Sequence, residues 1–120
     1  MLTTQLFRGE KNTLAFAAGQ KIFGEGEDGD QMFVVVSGRI KLNVHGTTVE
    51  LLEEGCMFGE MALIGKEPRS ATALAETDSV VAVINAERFM FLVQQTPFFA
   101  LQLMEVMADR LRRMDSRLEA

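Results

Sequence analysis

Before residue 85 the apolar residues fall in short runs, some of them alternating with polar residues at a period of two, and a helical period replaces this afterwards. Thr13–Phe16 and Lys21–Phe23 read as short strands around Ala17-Ala18-Gly19-Gln20. Residues 31–36 are rich in β-branched and aromatic side chains, and Ser37-Gly38 supplies a two-residue turn. Ile40, Leu42 and Val44 then alternate with Arg39, Lys41 and Asn43, so residues 31–44 are expected to form a hairpin. His45-Gly46 turns the chain again, Val49 and Leu51 continue the alternation to Leu52, and Glu53-Glu54-Gly55 makes a further turn. Residues 72–75 and 79–85 read as strands on either side of Glu76-Thr77-Asp78. Many short strands joined by glycine turns imply a small barrel or sandwich.

Beyond the strands, Phe89, Leu92 and Val93 lie at helical spacing in residues 86–95, behind Asn85 as N-cap. Thr96-Pro97 ends that helix, and a second spans residues 98–117 or so. Its Ala100, Met104, Met107, Leu111, Met114 and Leu118 step by fours and threes. Such a heptad seam predicts a homodimer, or a helix that folds back on the strands. Arg110, Arg112, Arg113 and Arg117 are mixed with Asp109, Asp115 and Glu119, which makes a solvated face and not a nucleic-acid patch. Residues 1–11 are short and mixed, a helical turn or a disordered end.

Chemistry concentrates in residues 58–73, FGEMALIGKEPRSATA. Here Gly59-Glu60 and Arg69-Ser70 flank the loop Gly65-Lys66-Glu67-Pro68. An acid and a base closed around a small space suit a ligand that has both hydroxyls and a negative charge. Glu60 can accept from hydroxyls, Arg69 can clamp a phosphate with its planar fork, and N–H groups of a short turn after Gly59 add fixed donors. An arginine left unpaired inside a β structure is costly, and an anion relieves that cost. Residues 24–30 hold three glycines and four acids, a tight exposed turn without the ligand spacing of a calcium loop.

The stretch 58–73 closely resembles the phosphate-binding cassette of cyclic nucleotide-binding domains. These occur in bacterial catabolite-activator regulators, regulatory subunits of cyclic-nucleotide-dependent kinases and gated channels. The pattern there is F-G-E-[LM]-A-L, a short variable loop, then P-R-[STA]-A-T, and nearly every fixed position matches. The resemblance covers residues 13–113 or so and includes a glycine framework at Gly19, Gly26, Gly29, Gly38 and Gly55. It implies a mainly β fold, an eight-stranded jelly-roll-type β-roll over about residues 13–85, followed by two α-helices. It also implies that Arg69 pairs with an equatorial oxygen of the cyclic phosphate and that Glu60 accepts the ribose 2′-hydroxyl. Gly59, Ala62 and Ala71 would present backbone groups to ribose or phosphate. Met61 belongs to the same run, although with Phe58 and Leu63 it suits packing better than contact. Ser70 would reach phosphate or base, and serine there is compatible with cAMP where threonine leans to cGMP, so cAMP is expected ahead of cGMP. The threonine–serine pair that caps the base in regulators is not carried over. Its positions fall on Met114 and Asp115, beside Arg113, and these three are the candidate base cap. The ligand would tie Glu60 to Arg69 and move the C-terminal helix over the base.

Composition narrows the remaining classes. At 120 residues, a single domain over residues 1–120 is expected. No run of eighteen apolar residues is present, and the start lacks a secretory pattern, so neither a membrane span nor export is expected. One cysteine fits a reducing cytoplasm. A net charge of −5 argues against a general nucleic-acid surface and against anionic membrane. DNA-binding relatives add a helix-turn-helix domain that these residues do not contain, so direct nucleic-acid binding is not expected. His45 and Cys56 are too few for zinc, an iron–sulfur cluster or haem, and no nucleophile–base pair is visible, so neither a cofactor nor catalysis is expected. Two alternatives stay open. One is the regulatory or dimerisation part of a transcription regulator that lacks its DNA reader. The other is an interaction module with no ligand. Nothing names the effector protein.

Overall fold

A computed structural model describes residues 10–119, with side chains through residue 113; the expected end segment therefore falls almost wholly outside the described residues. The strands are β1 (Thr13–Phe16), β2 (Lys21–Phe23), β3 (Gln31–Ser37), β4 (Ile40–Val44), β5 (Thr47–Leu52), β6 (Met57–Phe58), β7 (Thr72–Ala75) and β8 (Ser79–Asn85). The helices are α1 (Glu60–Ile64), α2 (Ala86–Gln95) and α3 (Pro97–Glu119).

The strands make two four-stranded sheets, in the orders β1-β8-β3-β6 and β2-β7-β4-β5. Strand pairs β4–β5, β3–β6, β2–β7 and β1–β8 are all antiparallel. Their nesting is that of one long hairpin, with its tip at His45-Gly46, wound into a jelly-roll-type β-roll. Two helices follow it, as expected. Between the sheets, Phe23, Phe33 and Phe58 cluster with ring centroids 5.3–6.0 Å apart, alongside Val35, Ile40, Leu52 and Val83.

Two expectations about the strands need correction. Residues 31–44 are not a hairpin, because β3 pairs with β6 and β8 while β4 pairs with β5 and β7. The chain changes sheets at Gly38, where φ is +87°. A Cβ there would strike Ser79 Oγ and the Asp78 carbonyl and sit 2.7 Å from Ser79 Cα, so no side chain fits. The second correction is in β5. Val49 and Leu51 do not continue the inward set, since Leu52 pairs with Ile40 in the core and Leu51 is half exposed opposite Lys41. The two-residue strand β6 was not anticipated at all.

Nesting also brings two distant loops together. The β2–β3 loop and the β6–β7 segment both lie between the β2–β7 and β3–β6 pairs. They meet through backbone bonds from Gly26 N–H to the Arg69 carbonyl and from Arg69 N–H to the Glu27 carbonyl, both 2.8 Å.

The chain divides into two compact units, residues 1–87 and 88–120. In the second, Leu92, Phe99 and Leu103 are buried, and Phe89 meets Phe99 edge-on at 6.0 Å. Pro97 opens α3, where its missing N–H costs nothing. The line that α3 buries is thus Phe99 and Leu103, whereas Met104 and Leu111 of the seam are 60% and 61% exposed. Met114 and Leu118 lie outside the residues whose side chains are described. No helix among the described residues is long and apolar enough to cross a membrane.

Candidate functional site

Gly59 ends β6 and starts α1 with φ +78°, a left-handed conformation that turns the chain sharply. A Cβ on it would come 2.8 Å from Arg69 Nη1 and 3.2 Å from the Phe33 ring. Gly65 N–H closes the short helix on the Met61 carbonyl at 2.9 Å. Glu60, the first residue of α1, is only 3% exposed, and Ala62 and Ala71 are buried as well. Met61 and Ser70 are exposed.

Arg69 is 6% exposed. Its Nη1 donates to the Gly59 carbonyl and its Nη2 to the Gln31 carbonyl, each at 2.8 Å. Its Cζ lies 4.2 Å from the Phe23 ring centroid and 5.6 Å from that of Phe33, so the guanidinium rests on an aromatic platform. Nε is buried and has no hydrogen-bond partner among the described residues. The expectation of an unpaired arginine is therefore corrected. Two backbone carbonyls and two rings hold the cation, and part of its donor capacity is left over.

Burial pushes the Arg69 guanidinium below its ordinary range, and the charges of Asp30, Glu27 and Glu60 oppose that shift. An arginine stays protonated even so. Glu27 is pulled below the usual carboxylate range by the Gly24 N–H at 2.9 Å and by Lys21 at 3.3 Å.

Gly29 is a neighbour of Arg69 that composition did not reveal. A Cβ there would lie 2.5 Å from Arg69 Nη2 and 2.6 Å from Cζ. The turn of residues 24–30, expected only to be exposed, thus supplies the wall against which Arg69 is seated. Phe23, Phe33 and the Gln31 carbonyl were missed for the same reason, since nothing local in their own segments points to a cation as far along the chain as Arg69. A groove of about 300 Å³ flanks this region, running from Asp28 and Asp30 past Ala62 to Lys66 and Glu67.

The structure thus brings the buried Glu60 and Arg69 together with the half-buried Gly59. In the base-cap set, Arg113 Nη2 lies 3.1 Å from Asp109 Oδ2 along its own helix, while Met114 and Asp115 lie beyond the described side chains. His45 is exposed at the tip of the β4–β5 turn with Nδ1 3.3 Å from Glu25 Oε2, and Cys56 is half-buried against the core. No cluster of three metal-ligating side chains occurs among the described residues.

The family model of the cyclic nucleotide-binding domain matches residues 13–96. A cyclic AMP receptor protein of Thermus thermophilus is 33% identical over 87% of this chain and 50% of its own length. A cGMP-dependent protein kinase of Toxoplasma gondii is 43% identical over 60% of this chain and 7% of its own. The chain therefore spans half or less of these relatives. The crystal structure of Thermus thermophilus catabolite activator protein superposes with a TM-score of 0.82 at 31% identity, covering 98% of this chain and 56% of that one. With the matched model covering the roll and its cassette, this chain belongs to the cyclic nucleotide-binding domain family.

Proposed function

We propose that residues 1–120 act as one non-enzymatic sensing domain in the cytoplasm, and that the domain binds a purine 3′,5′-cyclic nucleotide, cAMP ahead of cGMP. The observation that carries this reading is the buried Arg69 guanidinium, with an unpartnered Nε, beside the buried carboxylate Glu60. A cation and an acceptor at that spacing in the chain suit a phosphate next to a ribose hydroxyl. Gly59, Ala62 and Ala71 are small enough for backbone groups to approach the ligand, Met61 borders them, and Ser70 without a further methyl supports adenine. Arg113, Met114 and Asp115 remain the candidates for the base cap. A calorimetric titration tests the reading. Saturable one-site binding is expected, with cAMP tighter than cGMP, and no heat with either nucleotide at millimolar concentration overturns it.

Glu60→Ala is expected to weaken cAMP by about 1–3 kcal/mol, the scale of a hydrogen bond to a charged group. A 2′-deoxy analogue should lose little further affinity in that variant. An equal loss in variant and wild type would show that Glu60 does not hold the 2′-hydroxyl.

The signal leaves through α3 in this reading, toward an effector protein and without direct DNA contact. Exposure of Met104 and Leu111 supports a homodimer along the seam. Leu111→Lys should then lower the mass seen in sedimentation. A wild type that is monomeric at high concentration removes the dimer.

A further inference from the structure

A two-residue turn joins β4 to β5, since Val44 pairs with Thr47. Both turn residues are left-handed, His45 with φ +51° and Gly46 with φ +81°. This is type I′ geometry, for which asparagine, aspartate or glycine is the usual first residue. A histidine held in that conformation asks what its side chain does there. It grips Glu25. The His45 N–H donates to Glu25 Oε1 at 3.1 Å, and ring Nδ1 lies 3.3 Å from Oε2. Glu25 is fixed in turn, because its own N–H donates to Thr72 Oγ1 at 3.0 Å.

Glu25 belongs to the β2–β3 loop, which holds neither strand nor helix between Phe23 and Gln31 and so depends on such ties for its position. The next two residues of that loop, Gly26 and Glu27, bond to the backbone of residue 69, and Gly29 packs against its guanidinium. One carboxylate thus links the β4–β5 tip to the loop that seats Arg69. Among the described residues, Glu25 is the charged group that faces the ring. In the same loop, Glu27 is held by Lys21 and the Gly24 N–H, and Asp28 and Asp30 line the groove beside the cassette. On the hairpin itself, Lys41 and Glu50 lie further down the strands from the tip.

We infer that His45 and Glu25 are a proton-sensitive positioning pair for the Arg69 site, which makes cAMP affinity fall as pH rises. This rests on the proposed placement of the cyclic phosphate at Arg69. An imidazolium presents Nδ1–H and a charge to the carboxylate; a neutral ring offers that donor in one tautomer only, and no charge. Imidazole changes between these forms in the range of pH 5–8. The charged pair holds the loop where Arg69 is seated. A ligand that binds this arrangement gains affinity in proportion to its population. The pairing is therefore fully present on the acid side of the histidine range and lost on the alkaline side. His45 is the only histidine of the 120 residues, so one group carries the effect. With its side chain 86% exposed, the effect is limited to that of a solvated ion pair.

Calorimetry with cAMP at about pH 5.5 and about pH 8 on wild type, His45→Asn and Glu25→Gln tests this, with circular dichroism as the folding control. The wild type should bind about 2- to 5-fold more weakly at the higher pH. His45→Asn keeps a residue suited to the turn, and Glu25→Gln keeps an acceptor for the His45 N–H; both should lose the pH dependence. A purely structural role would weaken binding by the same factor at both pH values, which overturns the inference. A flat wild type, or a pH dependence that persists in His45→Asn, overturns it too. If wild type binds no cAMP at either pH, the parent reading fails and this one with it. If wild type binds and only the pH dependence is absent, the pair alone is wrong.

Discussion

Arg69→Ala is expected to weaken cAMP binding by roughly 30- to 4,000-fold, from the 2–5 kcal/mol lost when one member of a buried charge pair is truncated. A cyclic phosphate carries one negative charge on two exocyclic oxygens, and burial around Arg69 limits the screening of its attraction to the guanidinium. Arg69→Lys should recover only part of the loss, because a point charge cannot reproduce the planar fork or its stacking on Phe23. The side chain also supports the loops through the Gly59 and Gln31 carbonyls, so the alanine variant should lose about 1–3 kcal/mol of stability. The fold should survive, since the backbone bonds of residue 69 to Gly26 and Glu27 do not involve the side chain. Calorimetry on the three proteins, with thermal unfolding followed by circular dichroism, measures both effects. Near-equal cAMP affinities among folded proteins would refute the site. An unfolded Arg69→Ala would point to a structural role for the arginine.

Gly29→Ala should come close to the same loss without touching the cation itself. Its new methyl would occupy the space of Arg69 Nη2 and Cζ, and backbone cannot yield while the loop is bonded to residue 69. The guanidinium must then leave the Phe23 platform and the Gln31 carbonyl. A cAMP affinity at least about 10-fold weaker is expected, together with about 1–3 kcal/mol of overpacking strain. Adding Gly29→Ala to Arg69→Ala should cost little more affinity, because the first change already removes what the second displaces. Full additivity in that double-mutant cycle would show that Gly29 acts elsewhere.

How far the chain could be read before folding follows from the range of each signal. Alternation, turn glycines and helical spacing are local, and they located seven of the eight strands and the helices from their own residues. The partners of a strand are not local. Ser37-Gly38 between two apolar runs looks like a hairpin turn. One hint against it was present: residues 32–35 are continuously apolar and all buried, whereas β4 alternates, so the two strands sit in different surroundings. The phase of β5 was lost because apolar residues stand on both of its faces, and pairing with Ile40 put Leu52 and Glu50 inside. At the site, Glu60 and Arg69 were visible as a motif in one segment. Gly29, Phe23 and Phe33 were not, because they meet Arg69 only through the nested pairing of loops far apart in the chain.

That nesting also ties ligand affinity to completeness of the fold. A ligand that requires both the β2–β3 loop and the cassette can be held only by chains in which β2–β7 and β3–β6 have closed together. Partly zipped chains, with only the β4–β5 tip formed, bring no such pair of loops into register. Binding at the proposed site would therefore draw exclusively on the complete roll, and by mass action each 100-fold excess of ligand over its dissociation constant would add about 2.7 kcal/mol to global stability. The ligand doubles as a folding chaperone in the thermodynamic sense. Its effect should appear as slower amide hydrogen exchange in β2, β3, β6 and β7 alike, well beyond the residues that touch it.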